Sequence, residues 1–205
     1  MILTDRDIKE ISNCIVPFHK GNVEPCSYDF TLDDAILIQR PGQKLKIGDE
    51  IKSYKIAVED YALKPNDFVL ASTREKVFIP DNIAAEVAGK STIGRYGLEI
   101  HQTAGWIDAG FEGNITLEIV NNSENEIQLV EGMKIAQLIF HKLTGNVENP
   151  YNGKYQHSDG VVDARAEKVD TSLAFEPEEE MIDESQGYER EILDGACESG
   201  ICPSR

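Results

Sequence analysis

"HQTAGWIDAGFEGNITLEIVNN", residues 101–122, joins a polar, Gly-containing turn to a segment written in alternation. Successive side chains of a strand point to opposite faces. Ile115, Leu117 and Ile119 therefore share one face, and Thr116, Glu118 and Val120 share the other. The segment is a half-buried strand, and it carries a carboxylate in its middle with a second, Asp108, in the turn before it. An acid on the polar face of a strand is more often solvated than reactive, and Asp108 before "AGF" could simply cap a turn. Spacing alone leaves both readings open.

Outward from this strand the chain is mainly β. Short runs such as "YDFTL", "AILIQ", "KIAV", "DFVLAST", "KVFI", "IAAEVAG", "LEIHQT", "EIQLV" and "KIAQLIFHKL" recur every 8–12 residues or so, the spacing of a sandwich or barrel with a jelly-roll-like path. Turns fall at "PGQ", "KPND", "IPDN", "GFEGN" and "VEGM", where Gly, Pro, Asn and Asp supply the required backbone angles. Thr4 followed by the spacing of Ile8 and Ile11 predicts one short N-terminal helix.

A chain of 205 residues has room for one well-buried domain and an appendage. Residues 1–165 read as that domain. Residues 166–205 read as an acidic, flexible extension: 12 acids against 3 bases give −9 of the total −17, leaving −8 for the rest. A balance of −17 argues against a nucleic-acid binder but not against one small anionic ligand held by a few local cations. No apolar run reaches the roughly 18 residues of a membrane span, and "MILTDRDIKEI" lacks the basic and apolar regions of a signal peptide. A cytoplasmic protein is expected. Cys14, Cys26, Cys197 and Cys202 are too scattered for a disulfide framework. "CESGIC" has no companion pair to make a metal site, and Cys26 in "PCSYD" reads as a small packed residue.

"AGKSTIGRYG" holds phosphate-binding chemistry: cations at Lys90 and Arg95, hydroxyls at Ser91 and Thr92, and Gly89 and Gly94 to admit backbone amides. It is not a P-loop, because Ala84 stands where that motif needs Gly and the surroundings read as strand. A solvated turn with incidental charges fits the motif equally well. The elements of a zinc deaminase are missing, so zinc catalysis is excluded. Ser91 does not sit in the Gly-x-Ser-x-Gly elbow of a hydrolase triad.

Taken in order, "MILTDRDI", "PCSYDFTL", "GKSTIGRYGLEIHQTAGWIDAGFEGNITLEIVN", "EGMKIAQLIF" and "PYNGKY" resemble the dCTP deaminase family of the trimeric dUTPase superfamily, over about residues 1–165. The resemblance implies a distorted jelly-roll β-barrel, a homotrimer with sites between subunits, dCTP or dUTP as ligand, and Mg²⁺ held through the triphosphate. It implies that the loop Lys90, Ser91, Thr92, Ile93, Gly94 and Arg95 meets the phosphates, that Asp108 accepts the deoxyribose 3′-hydroxyl, and that the backbone of Thr116, Leu117 and Glu118 reads the pyrimidine. Gln137 would lie at the phosphates, with Tyr151, Lys154 and Ser158 in a C-terminal segment that folds over the nucleotide. Glu118 would be the general acid and base, assisted by Arg95 and Ser91.

Plain dUTPases have an apolar residue at the position of Glu118, so this acid separates the two activities. Replacing an amine by water at C4 needs one group that takes a proton and then returns it. Gly105 and Trp106 in "AGWID" resemble the dUMP-forming type, whose small residue would leave room for a second water, and not the deaminase-only type with "AH" and a basic residue. Ser158 stands where the family usually has Gln, and "YNGKY" is a shorter loop than usual. The alternatives are a deaminase that releases dUTP, a dUTPase, and a non-enzymatic nucleotide-sensing module. His101 reads as a satisfied structural histidine, and Asp29 as a support of the fold.

Overall fold

The computed structural model describes residues 1–168. The first helix, α1 (Asp5–Glu10), begins at Thr4 as expected, and the Asp7 carboxylate accepts from both the N–H and the hydroxyl of Thr4 (2.9 and 2.8 Å). The strands follow as β1 (Ile15–Val16), β2 (Tyr28–Gln39), β3 (Ser53–Ala57), β4 (Ala62–Leu63), β5 (Phe68–Phe78), β6 (Ile83–Gly89), β7 (Leu98–Glu99), β8 (Trp106–Ile107), β9 (Glu112–Asn121), β10 (Ile127–Gln128) and β11 (Lys134–Lys142). One helical turn, α2 (Ser91–Arg95), directly follows β6, where the sequence read as strand. Only Leu98–Glu99 of "LEIHQT" is strand.

The main sheet is antiparallel in the order β7-β9-β5-β2-β11-β6-β8, with β1 on β5 and β3 on β2. Its two ends belong to one chain segment. Leu98 pairs with Asn121 of β9, and Glu118 donates its N–H to the Ile100 carbonyl (3.1 Å). Five residues on, the Val87 N–H donates to the Gly105 carbonyl (2.7 Å), and Ile107 pairs with Ala85 of β6. Residues 98–107 thus bond to both edges, and the sheet curls round a core that includes Tyr28, Phe30, Leu117, Ile119, Ile135 and Phe140, each under 2 % exposed. Side chains of this size each stabilise the fold by about 2 kcal/mol when buried.

Two long strands bend at bulges. In β5 the register shifts between Ser72 and Lys76, and β9 supplies the repair. The Asn114 amide donates to the Thr73 carbonyl at 2.8 Å and to those of Arg74 and Glu75 at 3.3 Å. The same side chain accepts the Gly160 N–H (2.9 Å). That bond begins the docking of the C-terminal segment, in which the Asn114 N–H donates to the Ser158 carbonyl (2.9 Å) and Gly113 forms a parallel bridge with Ser158. Gly113 has φ 146, and a Cβ there would meet the Ser158 nitrogen at 2.8 Å, so only glycine admits this approach. Farther on, Ser53 donates to Asp163 (2.8 Å). The described residues form one compact unit. The acidic extension beyond 168, with Cys197 and Cys202, lies outside the described residues.

Candidate active site

A cavity of about 350 Å³ opens beside the Thr116–Glu118 face of β9, walled by Trp106, Asp108, Phe111, Tyr151, Tyr155, Ser158 and Val162. The two acids singled out in the sequence face one space. Glu118 is half-buried, and its Oε2 accepts the Gln102 N–H (2.9 Å), so the 98–107 segment that closes the sheet also orients this carboxylate. Asp108 is exposed and reaches Phe111 through its carbonyl (3.2 Å), not its side chain. The cap-like role open to it in the sequence is filled by backbone.

Lys90, Ser91, Thr92, Arg95 and Gln137 do not line this cavity. They lie where β2, β11 and β6 run side by side and α2 begins. Gln137 stands opposite Asp29 on one side and Ala88 on the other. It accepts the Ser27 hydroxyl (3.3 Å) and donates to the Gly89 carbonyl (3.4 Å). Asp29, fully buried, faces Lys90 through Oδ1 at 2.5 Å and Lys134 through Oδ2 at 3.0 Å. Burial pushes the Asp29 carboxyl up, but the two ammoniums outweigh it and hold the group below the usual carboxylate range. Ser91, Thr92 and Arg95 are exposed on α2.

Ile93 and Leu117 belong to the core, which leaves only their backbone for a ligand. Gly94 is exposed. The Lys154 ammonium pairs with Glu167 (2.7 Å) and lies over the Tyr155 ring. Ser158 is buried, its hydroxyl donating to the Tyr155 carbonyl (2.7 Å). Gly105 is closely packed on its Cα side, where a Cβ would meet the Val87 carbonyl at 3.0 Å and the His101 ring at 3.1 Å. Trp106 beside it is 54 % exposed. Two minor expectations fail. Nδ1 of His101 is buried without a hydrogen-bond partner. Cys26 is exposed, because it lies in the loop before β2 and not in a strand.

Sequence reasoning missed Phe111, Tyr155 and Val162 as cavity walls, and Gln156, whose amide donates to Gly110 and Tyr151 carbonyls (2.8 and 3.2 Å) while its oxygen accepts the Glu112 N–H (3.0 Å). The Gln next to "KY" was the available signal. Lys134 was missed altogether.

Residues 2–143 match the family model described as dCTP deaminase-like. The chain belongs to this family. It is 38 % identical over 175 residues to a protein of Persephonella marina named "dCTP deaminase, dUMP-forming", covering 80 % of this chain and 97 % of that one. A Methanosphaerula palustris protein of the same name is 40 % identical over 151 residues, covering 69 % and 81 %. Among solved structures, the 2′-deoxycytidine 5′-triphosphate deaminase of Agrobacterium tumefaciens superposes with a TM-score of 0.56 at 20 % identity, over 68 % of this chain and 47 % of that one. That likeness shows the shared fold.

Proposed function

We propose that this chain is a dCTP deaminase that carries its product on to dUMP and diphosphate. The observation that supports it most is Glu118 at the cavity, facing the same space as Asp108 and Thr116 and oriented by a backbone N–H. The names of the family relatives support the same reaction.

Deamination puts hydroxide on C4 of the pyrimidine and a proton on N3. Collapse of that adduct takes the hydroxyl proton to the amino nitrogen, which leaves as ammonia. Glu118 carries the proton in both halves. Asp108 accepts the 3′-hydroxyl from across the cavity, and Phe111 and Tyr151, packed edge to face with centroids 5.7 Å apart, wall off water.

The phosphates fit the second cluster, Lys90 and Gln137 with Ser91, Thr92 and Arg95 on α2. This set stands apart from the cavity lining, so the reading assigns the two halves of one site to neighbouring copies of a homotrimer, with Arg95 and Ser91 brought to the water by the second copy. The donors there are cations, hydroxyls and an amide, which suit phosphate oxygens and not a bare cation. Mg²⁺ fits as the companion of the triphosphate, where it would neutralise phosphate charge. Residues 1–165 are proposed to be sufficient for this chemistry, with 166–205 an appendage, and the cytoplasm is the expected location.

Incubating purified protein with dCTP, with and without Mg²⁺, and chromatographing the products tests the reading. Ammonia, dUMP and diphosphate in equal amounts are expected. Accumulating dUTP without diphosphate would reduce the protein to a deaminase, and hydrolysis of dUTP with dCTP untouched would make it a dUTPase.

A further inference from the structure

We propose that Lys134 is a second phosphate-binding lysine, held beside Lys90 by the buried carboxylate of Asp29, which acts as a positioning residue. The inference deepens the triphosphate reading above and rests on it.

The first support is a bulge. Lys134 pairs with Thr31 and Ala136 with Phe30, so β11 spends one extra residue, Ile135, against β2. In a regular strand Lys134 and Gln137, three apart, would point to opposite faces. The extra residue reverses that parity, and a bulge is a common device for re-aiming a side chain. It brings the Lys134 ammonium to Asp29, on the row that already holds Gln137.

The second support is the charge arrangement. Each Asp29 oxygen faces a lysine from a different part of the chain, Lys90 just after β6 and Lys134 at the start of β11. The Lys134 ammonium also donates to the Gly21 carbonyl (3.1 Å), which fixes it from a second side. Both lysine side chains keep a wet surface, 21 % for Lys90 and 40 % for Lys134, while Asp29 has 1 %. Oδ2 of Asp29 has no well-directed hydrogen bond, so the triangle is not closed on itself. A buried ion pair is a poor source of stability compared with apolar packing. It does set the spacing of two cations before an anion arrives. Two ammoniums against one carboxylate, with Arg95 on the adjoining turn, leave about +2 here in a chain of −17, a local charge suited to a chain of phosphates.

Isothermal calorimetry with inorganic tripolyphosphate, dCTP and dCMP on the full chain tests this. Lys134→Met is expected to weaken tripolyphosphate and dCTP by about tenfold and dCMP by less than about twofold. Its KM for dCTP should rise with kcat nearly unchanged, and Lys134→Arg should restore most of the loss. Asp29→Asn should weaken tripolyphosphate at least as much. Lys134→Met binding tripolyphosphate like the parent, or losing dCTP and dCMP equally, would overturn the proposal. A parent protein that holds tripolyphosphate in a Lys134-dependent way but never turns over dCTP would sink the deaminase reading and leave this one standing.

Discussion

The two clusters proposed as the phosphate and pyrimidine ends of one site handle negative charge in opposite ways. At the phosphate end, Asp29 is fully buried between two ammoniums and is held ionised. At the pyrimidine end, Glu118 is half-buried against Leu70 of β5, and a single backbone N–H holds one of its oxygens. The first carboxylate is tied to cations from two separate parts of the chain. The second has no ammonium against it among the described residues, and only a backbone N–H meets its carboxylate. We propose that these surroundings, and not residue type, give one acid a structural role and the other a chemical one.

The largest effect that could undo this contrast is at Glu118. Glu118→Gln should lower turnover of dCTP by about 10³-fold while leaving affinity within about tenfold, read by ammonia release and calorimetry. Binding lost together with turnover would make Glu118 a ligand-positioning or structural residue. Mixing that variant with Arg95→Ala asks whether the two ends meet between copies. If they do, mixed assemblies should regain about a quarter of the parental activity, whereas halves within one chain would regain none.

Next comes the C-terminal segment docked at Gly113. Gly113→Ala forces a Cβ against the Ser158 backbone at an unfavourable φ and should cost about 3 kcal/mol, seen as a lowered midpoint in urea.

At the phosphate end, Asp29→Asn should cost about 2 kcal/mol at pH 7. A carboxyl held low in the folded state contributes stability above its unfolded pKa of about 3.9 and loses it as pH falls through its lower folded value. The gap between parent and variant should therefore close below about pH 4. A pH-independent gap would mean packing, not charge, sets the cost. Ser158→Ala should have the smallest effect, about 1 kcal/mol, because its hydroxyl serves only a local turn.

The pyrimidine end was the more legible in sequence for the same physical reason that makes it accessible. Regular alternation in β9 exposes Thr116 and Glu118 in a pattern any strand must follow, and Thr4 announces α1 through its side chain. Irregular backbone hid the rest. "YDFTL" and "AILIQ" are one strand, and so are "DFVLAST" and "KVFI". The charged residues that seemed to separate them, Asp33 with Asp34 and Arg74 to Lys76, sit at register shifts, and at the second of these the buried Glu75 accepts from Thr31 of β2. Lys134 was invisible because a bulge changes its face, and no periodicity records that. Val162 and Tyr155 lie in a segment docked through bonds that join residues more than 40 positions apart, such as that of Asn114 to Gly160.

We propose that Glu118 meets the pyrimidine at C4 while lysines from elsewhere grip the phosphates, and every role assigned above depends on that division. A crystal structure of Glu118→Gln soaked with dCTP and Mg²⁺ would reveal it in one experiment. The expected result is the substituted carboxamide at position 118 within hydrogen-bond reach of the 4-amino group, with Lys90 and Lys134 on phosphate oxygens. A base bound elsewhere, with the side chain at position 118 turned to bulk solvent, would contradict it.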